Sequence, residues 1–209
     1  MPAATPIPRR PQDEPLAKRQ RFQIIKVAVA SFGVLLLMYA GFQGRQHARL
    51  QLKLNEITAV RDQLQRRLND PQISSTGLPS SANAQVAPLA NGLKALLEQF
   101  DLDDNPRQLS EPERLELRLS QATLANAERR FADAVASITD QDEKEARSGS
   151  KALRSRFVSI LQVRGDSFYG LREWQNALDR YREVLTLKPN RRATIARMAE
   201  CQRALGKTN

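Results

Sequence analysis

The sequence predicts an all-α chain in which a single transmembrane helix continues into a short coiled-coil stalk, followed by a flexible linker and a C-terminal bundle of helical hairpins. Three observations carry this. The residues are 41% apolar but only 5% aromatic, a balance that suits helices rich in leucine and alanine better than strands. One run near the N-terminus holds a single charge in nineteen residues. From Leu89 onward, apolar residues recur at spacings of three and four.

Residues 1–22 are basic and rich in proline with almost nothing to bury, so they read as a disordered tail. The run Ile24 to Phe42, IIKVAVASFGVLLLMYAGF, sets the expected span at 23–43, because about 20 helical residues cover the roughly 30 Å of a bilayer core. A cleaved leader fits less well, since Met38, Tyr39, Ala40 and Gly41 offer no pair of small residues at the required spacing. Arg9, Arg10, Lys18, Arg19 and Arg21 precede the run, and Arg45, Arg49, Lys53 and Arg61 follow it. The slight excess before it predicts a cytoplasmic N-terminus, a C-terminal domain outside the cytoplasm, and, in a bacterium, residence in the inner membrane.

Residues 44–69 form the expected stalk. Leu50, Leu54, Ile57, Leu64 and Leu68 make a heptad seam interrupted at Arg61, which can pair with a second copy of the chain, lie on a partner's helix or fold back on the C-terminal module. Asp70-Pro71 closes that helix. Residues 70–88 are rich in Ser, Pro, Ala and Asn and read as a flexible linker.

A helical domain is expected over 89–209. Leu93, Leu96, Leu97 and Phe100 mark a short amphipathic helix. Ser110 and Glu113 form a capping box opening a long helix through Leu117, Leu124, Phe131, Val135 and Ile138. Residues 140–150 read as an acidic loop or frayed helix end, and Ser150 caps a helix over about 151–169.

The thirty-four residues from Val158 to Arg191, VSILQVRGDSFYGLREWQNALDRYREVLTLKPNR, resemble a tetratricopeptide repeat. Leu161, Gly165 and Phe168 fit its first helix, Trp174 the aromatic after the turn, Ala177 and Tyr181 its second helix, and Pro189 the exit. Gly165 and Ala177 are small enough for two helices to approach closely, while Phe168 and Tyr181 fill the groove between layers. Arg164 stands where the family has Leu and Val184 where it has Ala. A last helix over 192–206 fits a cap on the solenoid end, and Ala127, Phe131 and Ala134 suggest an earlier, degenerate repeat spaced like Ala177, Tyr181 and Val184.

The resemblance implies a concave groove that binds a partner protein, lined here by Ser159, Gln162, Asp166, Tyr169, Glu200 and Arg203. It also disfavours the family's carboxylate clamp, because Gln162 and Asp166 replace two of its anchor residues. No catalytic, cofactor or metal site is expected: His47 is the only histidine, Cys201 the only cysteine, and no phosphate-binding glycine motif occurs. Charge falls unevenly, with a net −5 over residues 89–148 and +8 over 149–209.

The expected function is that of a membrane-tethered scaffold or adaptor, an accessory or assembly factor that recruits a protein partner. The alternatives are a structural subunit of a membrane complex held by span and stalk, and nucleic-acid binding by Lys188, Arg191, Arg192, Arg197, Arg203 and Lys207. Aromatic residues do not interleave with those charges, which argues against a stacking platform.

Overall fold

The computed structural model describes residues 14–70, 80–103 and 109–206, with the backbone alone for 14–37, 43, 46, 80–84, 102 and 103. Among the described residues every element is helical: α1 (Glu14–Leu68), α2 (Ser80–Asp103), α3 (Glu111–Ala127), α4 (Phe131–Ser137), α5 (Asp140–Ser148), α6 (Lys151–Arg154), α7 (Phe157–Gly170), α8 (Trp174–Leu187) and α9 (Arg192–Ala204). The chain divides into two compact units, Met1–Arg49 and Leu50–Asn209.

In the first unit the expected transmembrane helix is corrected. Among the described residues no helix is long and apolar enough to cross a membrane. The side chains of 24–37 lie outside the described residues. Counted from Met38, the next eighteen residues already take in Arg45, Arg49 and Lys53, and each such cation costs about 2.5–3.5 kcal/mol at the centre of a spanning helix. The membrane and single-pass assignments fall with it. Residues 1–13 of the expected tail lie outside the described residues, and α1 is helical from Glu14.

In the second unit the stalk is part of the globular domain. Leu50, Leu54, Ile57 and Leu64 are all buried, in one cluster with Val86, Ala90, Leu93, Leu97 and Phe100 of α2 and Leu117 and Leu124 of α3. Burying such side chains contributes at most about 1.5–3 kcal/mol each, so the seam is spent inside the chain. The gap in the seam is filled as well: the guanidinium of Arg61, 5% exposed, donates through Nη1 to the buried Glu116 carboxylate. The expected linker is shorter than drawn. Residues 71–79 lie outside the described residues, and 80–88 belong to α2 with Pro88 inside it.

Helix α3 begins as expected: the Glu113 carboxylate accepts from the Ser110 backbone N–H and hydroxyl, both at 2.7 Å. The helix is buried on two sides. Leu117 and Leu124 face the first cluster, while Leu115, Leu119, Ala122 and Ala125 join Ala134, Ile138, Ala146, Ile160 and Val163 in a second. The long helix expected through Ile138 is broken at Glu128–Arg130, and the expected acidic loop is helix α5, capped by Thr139 with Asp142.

That break is one of two matching helix ends. After α3, Arg129 takes the left-handed backbone at φ 61; its N–H donates to the Asn126 carbonyl at 3.1 Å, and the Arg130 N–H donates to the Ala125 carbonyl at 2.8 Å. After α7, Arg172 at φ 63 donates to Tyr169 at 3.0 Å, and Glu173 donates to Phe168 at 2.9 Å. These are Schellman ends, satisfying the last carbonyls of each helix. Gly206, at φ 67, donates to the Arg203 carbonyl after α9. Arg172 follows Arg129 by forty-three residues, and Gly206 follows Arg172 by thirty-four. Helices α3 and α4 therefore form one hairpin and α7 and α8 a second, α4 packs against α7, and α9 packs against α8.

Candidate binding site

Helix α7 positions most of the expected groove residues, and its interior is unusually polar. A Cβ built on Gly165 would stand 2.8 Å from Cε1 of Tyr181, so only glycine lets α8 lie this close. That approach brings the Tyr181 hydroxyl 2.9 Å from Oδ1 of Asp166, to which it donates. Asp166, 8% exposed, also accepts from Gln162 Nε2 at 2.9 Å, from Gln65 Nε2 of α1 at 2.9 Å, and from Arg197 of α9. The Thr194 hydroxyl donates to Gln162 Oε1 at 2.8 Å, and Arg197 Nη2 donates to the Leu68 carbonyl at 2.7 Å. A buried carboxylate is tolerable only when paired and fully hydrogen-bonded, and here it has four donors.

The ionisation of the groups around it follows from that arrangement. Burial, and then the Asp166 carboxylate, push the Tyr181 phenol well above its ordinary range. Burial pulls the Arg197 guanidinium down, and the charge and hydrogen bond of Asp166 outweigh it, so that it is held above the usual arginine value. Tyr169 donates to the Glu200 carboxylate and stands edge-on to Trp174 at 5.4 Å between centroids; burial first, and Glu200 second, push it up to about 12. The Cys201 thiol, fully buried between α8 and α9, is pushed up to about 11 by burial and by Glu200.

Of the six residues expected to line one groove, Gln162 and Asp166 are therefore interior, tying α7 to α9 and to α1. Tyr169 pairs with Glu200, both half-buried, while Arg203 is exposed on α9. Ser159 is half-buried and lines a cleft of about 420 Å³ together with the inner side of Gln162. The remaining walls of the cleft are Arg61, Asp62, Gln65, Arg66 and Asn69 of α1, Leu119 and Thr123 of α3, Val163 of α7, and Arg191 to Thr194 at the start of α9. The sequence leaves the α1 wall as one of three options, because residues 44–69 read as a stalk whose seam can also fold back on the C-terminal module. Its one signal was Arg61 standing in an apolar seam.

Arg164, which stands where the tetratricopeptide pattern has Leu, is likewise explained by an acidic partner. It is 5% exposed and donates to Glu143 and Asp140, each at 2.6 Å. The hydrogen bond and charge of Arg164 hold the Asp140 carboxyl below its ordinary value. Among the described residues no group of three His, Cys, Asp or Glu is placed to hold a metal ion.

No family model matches this chain, and neither a curated protein nor a solved structure matches it.

Proposed function

We propose that residues 50–206 form a protein-binding adaptor module built from helical hairpins of the tetratricopeptide kind, with Ser159 and Arg203, the expected groove residues that are not engaged inside the domain, contacting the partner. The observation that carries this reading is the recurrence of one helix end at Arg129 and at Arg172, each followed by a helix that packs on the one before it. Stacked hairpins bury their cores between neighbours and leave an elongated face for recognition. The Gly165–Tyr181 approach and the burial of Ala177, Leu178 and Tyr181 match the small and aromatic positions of the repeat.

Photocrosslinking tests the reading directly. A photoreactive residue at Ser159 or Arg203 should capture a discrete partner in cells, whereas one at the exposed Arg182 of α8 should not. Equal capture from all three positions would show that no face is specialised, and the adaptor reading would fail.

A further inference from the structure

We infer that the cleft between α1, α3, α7 and the start of α9 takes an acidic peptide segment; this rests on the adaptor reading and names the chemistry of the partner. The cleft carries four guanidiniums and one carboxylate. That carboxylate, Asp62, is already taken by Arg61, at 3.1 Å from Nε and 2.7 Å from Nη2, and Arg61 is further neutralised by Glu116. Arg66, Arg191 and Arg192 are exposed and have no acidic partner among the described residues. Three uncompensated guanidiniums on one cleft attract carboxylates and bind them in forked geometry.

The backbone adds the same sign. Helix α9 begins at Arg192, and its N-cap residue Arg191 supplies no side-chain cap, so the first-turn N–H groups carry the positive end of the helix dipole beside the arginines.

The rest of the lining distinguishes a peptide from other anions. Gln65 and Asn69 line the cleft with side-chain amides of the kind that pair with a peptide backbone, and their Oε1 and Oδ1 atoms have no hydrogen-bond partner among the described residues. Leu119 and Val163 offer apolar surface for a side chain between two acidic ones. Among the described residues no aromatic side chain lines the cleft to give a nucleic-acid base a stacking surface. Its volume lies within the range of about 300–1,000 Å³ usual for ligand sites.

The test is selection of a phage-displayed random heptapeptide library on the full chain, followed by binding of the synthesised winners to two variants. The inference expects enriched peptides with two or more Asp or Glu around an apolar residue. It expects their affinity to fall at least about tenfold in Arg66→Gln/Arg191→Gln/Arg192→Gln, with an unchanged melting temperature, and to stay within about twofold in the exposed-site control Arg154→Gln. Affinity should also fall steeply between low and high salt.

Enriched peptides without acidic residues, or equal binding to the triple variant, would overturn the inference while leaving the crosslinking result to decide the adaptor reading. So would failure to enrich any peptide. A twelve-nucleotide thymidine strand or inorganic pyrophosphate binding as tightly as the peptides, and losing that binding in the triple variant, would identify a general polyanion surface instead.

Discussion

The two hairpins share a turn and differ inside. At a spacing of forty-three residues, Leu119, Ala122, Thr123 and Ile138 of the first correspond to Gln162, Gly165, Asp166 and Tyr181 of the second. The first hairpin is closed by aliphatic packing, with Ile138 fully buried and the Thr123 hydroxyl turned back to the Leu119 carbonyl at 2.8 Å. The second is closed by a carboxylate that gathers donors from α1, α7, α8 and α9. The difference teaches that the same backbone can carry an apolar plug or a polar junction at equivalent positions, and at these positions only the junction ties in further helices.

The sharpest way to break this comparison is to truncate equivalent residues. Asp166→Ala removes the buried carboxylate on which Tyr181, Gln162, Gln65 and Arg197 converge and is expected to cost about 3–5 kcal/mol, as loss of one partner of a buried pair does. Thr123→Ala should cost about 1 kcal/mol, the worth of one hydrogen bond. Urea denaturation of the two variants measures both, and equal losses would mean the junction has no special role.

The helix approach offers a second test. Gly165→Ala drives a methyl into the Tyr181 ring and should cost about 1–3 kcal/mol, whereas Ala122→Gly in the first hairpin should lose only about 0.5–1 kcal/mol through chain entropy. If Gly165→Ala proved harmless, the ring would have to move without penalty.

Alkali separates the hairpins by ionisation, because only the second holds tyrosines, Tyr181 buried and Tyr169 half-buried. Tyr169 and Tyr181 keep their protons to a higher pH in the folded chain than unfolded, where a phenol titrates near 10. The folded state then binds more protons, so their contribution is complete below pH 10 and is lost as the pH rises from there through the folded values, about 12 for Tyr169. Thermal melts from pH 8 to 11 should fall more steeply above pH 10 for the native chain than for Tyr169→Phe/Tyr181→Phe. Parallel curves would contradict the assigned burial.

The smallest effect concerns the shared turn. A non-glycine residue in the left-handed region costs about 1 kcal/mol, partly offset by the extra freedom glycine gains when unfolded. Arg129→Gly and Arg172→Gly should each stabilise by about 0.5 kcal/mol, equally in the two hairpins, as measured by denaturation midpoints.

Much of this was legible in the residues themselves. The small and aromatic positions Gly165, Ala177 and Tyr181 have the packing roles their size suggests, and the seam from Leu50 to Leu64 is buried. What covers the seam was not legible, because a heptad stripe looks the same to a second copy as to the chain's own α2 and α3. The first turn was invisible because arginine, not glycine, takes its left-handed position, so the periodicity seemed to run on through Ile138. The alignment of the first hairpin on the second was read seven residues out of register: Ala134, not Ala127, stands where Ala177 does. Seven residues are about two helical turns, and that shift leaves the apolar phase almost unchanged. The off-pattern arginines 61 and 164 read as interruptions because their partners, Glu116 and Glu143, are distant in sequence.

That residues 50–68 belong to the helical domain underlies the cleft, the junction and the covered seam alike, and native-state hydrogen exchange tests it most directly. The amides of residues 54–66 should be protected as strongly as those of Ile160–Ser167 in α7, opening only with the whole unit. Exchange at the rate of an isolated helix, with α7 still protected, would contradict the account.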